Sequence, residues 1–271
     1  KRLLGLLLVM GMVGCGGGET VDAPKWVERG GLTYEGDSET PFTGVAVEKH
    51  ENGQKWMERT FKDGKREGLW TEWYENGQKA AESTWKDGKV VSETKWDEGG
   101  KKSLELMFKD GEPEGWTAWH ENGQKRSEGT FKDGKHEGLH TMWHENGQKK
   151  WEETFKDGKQ EGLLTRWYES GQKKWENTYK DGKEEGLQTF WHENGQKSAE
   201  GAWKDGRREG LFLSWHENGQ KGAEYTYKDG KREGPYTSWH KNGQKRSEAT
   251  FKDGKKVSET KWDEEGNEIK E

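Results

Sequence analysis

Eight histidines and a dense supply of carboxylates are the groups in this chain that could do chemistry. His136, His140 and His144 stand four residues apart, a spacing that gathers metal ligands on a helix. Gly138 lies among them in a strand-and-turn context, so the helix that would bring them together is not expected. His50, His120, His144, His192, His216 and His240 share one place in a repeating pattern, held elsewhere by Tyr74 and Tyr168. In an antiparallel sheet, equivalent places two strands apart are separated by about 9.6 Å, at ~4.8 Å per strand. Zinc sits only ~2.0–2.1 Å from an imidazole nitrogen. Neighbours in the column therefore cannot share an ion, and the histidines read as half-exposed packing groups alternating with tyrosine. No metal site and no cofactor are expected.

The carboxylates recur in every unit, whereas a glycosidase needs one unique pair in one cleft. No Ser/His/Asp arrangement stands out. The glycine motifs are turn motifs with no helix following to hold a phosphate. No catalytic residue is assigned, and the chain reads as a binding protein and not an enzyme.

Cys15 is the single cysteine, so no intrachain disulfide or thiolate metal site can form. Ahead of it, Lys1-Arg2 and the apolar run Leu3–Val13 form a basic n-region and a short h-region, too short to span a bilayer as a mature helix. Met12-Val13-Gly14-Cys15 resembles a bacterial lipobox, where cleavage precedes a cysteine whose thiol is lipidated. Residues 1–14 thus read as a lipoprotein signal peptide and 15–29 as a flexible tether. The protein is expected to be exported and anchored in a membrane through Cys15, on its periplasmic or cell-surface face. Each buried acyl methylene adds about 0.8 kcal/mol, so several chains would anchor it stably.

The elements that must position all other residues are short strands. Only 27% of the chain is apolar and 36% is charged, a balance that favours disorder. Against that stand 17 Trp and 40 evenly placed Gly, since aromatic rings bury large areas each. A net charge of −6, with both signs mixed in every unit, and a pI near 5.9 argue against nucleic acid as a partner.

Glu-Asn-Gly-Gln-Lys or a variant recurs with its glycine at 123, 147, 171, 195, 219 and 243, a step of 24 residues. Interleaved is Lys-Asp-Gly, with glycine at 134, 158, 182, 206, 230 and 254, and a third glycine follows in Glu-Gly. Asn-Gly and Asp-Gly are strong hairpin signals because type I′ turns need positive φ at both central residues. Each unit therefore reads as two strands and two turns, for example Leu163–Tyr168 and Lys173–Tyr179. The expected fold is all-β: an elongated single-layer antiparallel meander of about ten 24-residue hairpins. Strand alternation puts Glu176 and Thr178 on one face and Trp175 and Tyr179 on the other. Whether the tryptophan column before the first turn shares a face with the Phe/Tyr column before the second depends on loop length. Val91–Glu98 recurs as Val257–Glu264 at the end of the chain, so both copies read as caps. The repeats divide into a first block at 30–100 and a second at 101–271, with an irregularity expected near 89–115.

The pattern Trp-Tyr/His-Glu-Asn-Gly-Gln-Lys, then Phe-Lys-Asp-Gly-Lys-x-Glu-Gly, resembles the bacterial variant of the MORN repeat, as in YwqK-like proteins of antitoxin type. Gly31–Tyr34 with Pro41–Gly44 is similar to the opening half-unit of that family. The resemblance covers about residues 30–271. It implies hairpin repeats, a scaffolding role toward proteins, less securely contact with lipid, and no catalytic residue. The expected function is a lipid-anchored scaffold that binds a partner protein at the cell envelope. The alternatives are a toxin-neutralising module and glycan binding through an exposed aromatic ladder. Trp119, Trp143, Trp167, Trp191, Trp215 and Trp239 are the candidate ladder.

Overall fold

The structure is a computed structural model that describes residues 26–270; Cys15 and the span read as a signal peptide lie outside the described residues. The chain divides into two compact units, residues 1–89 and 90–271. In the first, Trp26–Arg29, which falls within the span read as a tether, pairs with Leu32–Glu35. The strands Gly44–Lys49, Lys55–Lys62, Lys65–Trp73 and Lys79–Lys86 follow, paired antiparallel in chain order. The second unit runs from Lys89–Trp96 to Lys255–Lys261 in the same way. The fold is the all-β meander of hairpin repeats expected from the glycine spacing.

The two turn types differ physically. Asp157 (φ 50°) and Gly158 (φ 79°) make the two-residue left-handed pair of a type I′ turn, closed by Lys156 opposite Lys159. The Asn-Gly connection is not type I′. Five residues, His144 to Gln148, separate Trp143 from its partner Lys149. There only Gly147 has positive φ, and Asn146 instead turns the chain with its side chain, Oδ1 accepting from the Gln148 amide at 3.0 Å. A bulge follows, because Met142 pairs with Trp151 and leaves Lys150 extra.

That longer loop with its bulge decides the faces. Trp143 lies with Leu139, Thr141, Lys149, Glu152 and Thr154, and Phe155 lies opposite with His140, Met142, Trp151 and Glu153. The two aromatic columns therefore occupy different faces, here called the tryptophan face and the phenylalanine face. The Glu-Gly step makes a second bulge, with Gly162 at φ 78° between the pairs Phe155–Gln160 and Glu152–Thr165. Near Gly115 the register slips by one residue only, between Met107–Gly115 and Phe108–Pro113, and Gly115 has no positive φ. This is the irregularity expected at residues 89–115.

Candidate functional site

The signature residues of the long turn are spent on stacking one turn upon the next. His144 Nε2 donates to the carbonyl of Trp167 in the next unit at 3.3 Å, and His192 does the same to Trp215 at 2.9 Å. Tyr168 OH reaches the carbonyl of Trp191 at 2.9 Å, which explains why tyrosine alternates with histidine in this column. Asn146 Nδ2 donates to the Glu169 carbonyl at 2.7 Å. A Cβ on Gly147 would stand 2.6 Å from Gln124 Oε1, so the glutamine of one unit lies over the glycine of the next. The short turns stack likewise: Glu161 Oε2 accepts from the Asp181 amide at 2.8 Å, and the Gly182 amide donates to the Gln160 carbonyl at 2.9 Å. Replacing His192 with Phe strands the Trp215 carbonyl and should cost about 1–2 kcal/mol, whereas His192→Tyr should be nearly neutral. Urea melts of the two variants check this; equal losses would refute the ladder.

The six candidate tryptophans all sit half-buried in one column of the tryptophan face. Equivalent rings are two strands apart, and lysines fill the space between them. Lys102 lies 5.0 Å from the ring centroid of Trp119 and Lys125 lies 5.8 Å from that of Trp143, with Lys149 over Trp167, Lys173 over Trp191 and Lys221 over Trp239. Each of these lysines also meets a carboxylate three residues on, as Lys125 meets Glu128 at 2.7 Å and Lys173 meets Glu176 at 2.5 Å. Trp, Lys and Glu thus form a repeating set that satisfies itself.

The phenylalanine face differs from unit to unit. One cross-strand row runs Met142, Trp151, Arg166, Trp175, Phe190, then Ala199, Ser214, Ala223, Ser238, Ser247. The exposed Arg166 guanidinium lies 5.5 Å from the Trp151 ring and 5.1 Å from the Trp175 ring. Both indole N–H groups are buried without a hydrogen-bond partner. Beyond Phe190 the small side chains open a depression of about 1020 Å³, lined in part by Ser214, Tyr236, Ser247 and Lys261. In the adjoining row Glu153 is 5% exposed and accepts from Gln160 Nε2 at 2.7 Å, and Asn177 is fully buried with its amide on Glu184 at 3.2 Å. Burial raises the Glu153 carboxyl above its usual range, against the opposing pull of Gln160 and Arg166. It raises Glu184 as well.

On this face also, His136 and His140 pack 4.7 Å apart between Trp116, Phe131 and Phe155. His140 Nε2 donates to the Thr130 carbonyl at 3.1 Å, while His136 Nδ1 is buried without a partner. Burial holds both imidazoles below the usual 6.5. The unfolded chain therefore takes up protons near pH 6.5 that the folded chain still refuses. The contribution of these two imidazoles to stability should be constant above that pH and fall as pH drops through it. His136→Phe should remove part of the slope between pH 7 and 5.5, as read from urea midpoints; an unchanged slope would count against buried imidazoles. His144, which the sequence spacing set beside these two, is engaged in the turn ladder instead. Among the described residues no three His, Cys, Asp or Glu side chains converge on a metal-sized site.

Six segments match the model of the MORN repeat variant, at residues 66–87, 116–133, 137–157, 184–205, 208–229 and 232–253. These six segments are similar to MORN-variant repeats, a kind of repeat scaffold. None of the curated proteins matches the sequence. Among solved structures, a chain in the crystal structure of TcdB2-TccC3-Cdc42 is similar at 11% identity and a TM-score of 0.21, over 82% of this chain and 16% of that one. A porin-like protein from Bacteroides uniformis ATCC 8492 is similar at 10% identity and a TM-score of 0.20, over 78% of this chain and 91% of that one. Neither likeness bears on function.

Proposed function

We propose that this protein is a lipid-anchored repeat scaffold that binds a partner protein at the cell envelope through its phenylalanine face. The observation that carries this is the contrast between the faces. The tryptophan face repeats one residue set, whereas the phenylalanine face presents Trp151, Arg166, Trp175 and Phe190 in one stretch and alternating alanine and serine in the next. Tryptophan, tyrosine and arginine dominate the energetically decisive positions of protein interfaces. The exposed Arg166 guanidinium, set between the Trp151 and Trp175 rings, offers a cation for a partner to pair with. The anchor is Cys15.

Two measurements test this. Acyl labelling should mark the parent protein and be lost in Cys15→Ser; an unlabelled parent removes the anchor from the proposal. Tagged protein extracted from membranes should retain a stoichiometric, saturable protein partner. Arg166→Ala should weaken that retention tenfold or more; retention unaffected by that change would contradict the assignment of the face.

A further inference from the structure

We infer that Arg208 and Arg232, with the hydroxyl of Tyr227 between them, bind the carboxylate of an acidic sugar whose hydroxylated body lies in the neighbouring depression. This site shares the phenylalanine face with the Arg166 cluster but stands apart from it, and it does not depend on the protein-binding proposal.

The anion half rests on two cations that the fold does not call for. Arg208 stands opposite Trp203 and Arg232 opposite Tyr227. The same place in the three preceding units holds His136, Gln160 and Glu184, so no cation is required there. Arg208 Nη1 donates to the Tyr227 hydroxyl at 2.9 Å. Burial alone would raise the Tyr227 phenol, yet hydrogen bonds from Arg232 and Arg208 hold it below its usual value. Two guanidinium groups thus converge on one oxygen, and the hydroxyl that accepts from both keeps its own hydrogen to donate.

The carboxylates around this pair are engaged elsewhere. Glu209 pairs with Ala202 on the tryptophan face. Glu209 and Glu233 accept from the Asp229 and Asp253 amides at 2.9 and 2.8 Å. Glu259 meets Lys256 and Lys261. Glu184, two strands before Arg208, is near enough to offset part of its charge. Among the described residues neither guanidinium enters an ion pair. Two cations against one carboxylate leave a single positive charge, which a carboxylate monoanion matches. The planar fork of arginine fits that group bidentately.

Tyr236 joins the anion site to the depression. Its ring centroid lies 5.6 Å from the Arg232 guanidinium and 5.9 Å from that of Tyr225, and the same side chain lines the depression of about 1020 Å³. Ser238 and Ser247 line it too, their hydroxyls 2.8 Å apart. Elsewhere its lining holds Arg246 and Lys261 against Glu259, Asp263, Glu264 and Glu265. That part is net negative, so it repels a second anion, while its carboxylates accept hydrogen bonds from neutral hydroxyls. An apolar ligand would desolvate these polar groups without pairing them. One carboxylate beside Tyr236 and hydroxyls along the rest describe the end of an acidic glycan.

The probes are three disaccharides with one carboxylate each, on a terminal glucuronate, galacturonate or sialate, titrated into the full chain by calorimetry. At least one should bind saturably, tenfold or more tighter than its carboxyl-reduced counterpart and than acetate, and less tightly as salt is raised. Arg208→Gln with Arg232→Gln copies the Gln160 found at this place and should weaken binding at least tenfold. Ser214→Phe copies Phe190 at its own place, fills the depression and should weaken binding to a similar degree with both arginines intact. Both variants should keep a cooperative melt, since each carries a side chain the array already holds there. Tyr227→Phe, which keeps the ring and removes the hydroxyl, should weaken binding as well. Arg166→Ala should bind the sugar as the parent does, which separates this site from the protein-binding cluster. Absence of saturable binding across the three acids overturns the inference. So does equal binding of the reduced disaccharide, or unchanged binding by the glutamine variant or by Ser214→Phe.

Discussion

Gly201→Ala should destabilise the fold by about 1–3 kcal/mol, the usual cost of forcing an extra methyl into a packed site. A Cβ at this position would lie 2.1 Å from Phe212 Cδ1 and 2.2 Å from Cε1. The backbone of Gly201 is not in the left-handed region, so the whole cost is overlap with the ring. Phe212 is 7% exposed and held by Tyr225 and Tyr227, at centroid distances of 6.0 and 4.9 Å, which leaves it little room to move aside. At this chain length ~1 kcal/mol corresponds to roughly 2–4 °C in Tm. The double variant Gly201→Ala, Phe212→Leu should recover most of the loss. Thermal melts decide it: a single variant that melts with the parent would mean that the ring does not lie over the glycine. Gly129, whose Cβ would come 2.3 Å from Trp116 Cη2, should behave in the same way.

Arg166→Met should cost about 1–2 kcal/mol at neutral pH. It removes a guanidinium stacked on Trp151 and Trp175, each such contact being worth ~0.5–1 kcal/mol at an exposed site. It also removes the cation that offsets the burial of Glu153. Glu153 binds its proton more tightly in the folded chain than in the unfolded one, and more so without Arg166. The folded state is thus favoured as pH falls through the raised carboxyl range and penalised above it. The loss in Arg166→Met should therefore shrink on acidification, measured against the parent at each pH so that the histidine contribution cancels. Glu153→Gln should raise stability at neutral pH and abolish the pH dependence of the Arg166 effect. A double-mutant cycle with no coupling between the two positions would refute the pairing.

Much of this architecture is legible in the residues, because turns are written in short local strings. Lys-Asp-Gly specifies its type I′ turn through two left-handed residues, and the strand limits follow from the spacing of such strings. Asn-Gly was less transparent. The same dipeptide sits in a five-residue connection where Asn146 acts through its side chain, so dipeptide identity alone did not set the loop length or the pairing of faces. The bonds from His144 and Tyr168 to the next unit were also hidden, since they join residues 23 apart whose proximity depends on how the turns stack. The candidate tryptophans were found as a column, but their lysine covers come from the register of the following strand. The phenylalanine-face cluster had a usable signal. The position held by Met142, Arg166, Phe190 and Ser214 changes from unit to unit, while the Trp that follows it does not. Variation inside a repeat array marks the positions at which one unit differs from the next in what it packs or presents.

The most direct measurement of the central proposal is site-specific photo-crosslinking in membranes of cells expressing the full chain. A crosslinker at Phe190, on the phenylalanine face and 38% exposed, should capture one discrete protein, and Arg166→Ala in the same molecule should cut that yield at least tenfold. A crosslinker at Glu193, in the turn, should not capture it. Capture of the same protein at equal yield from both positions, or a diffuse set of products indifferent to Arg166, would contradict partner binding through the phenylalanine face.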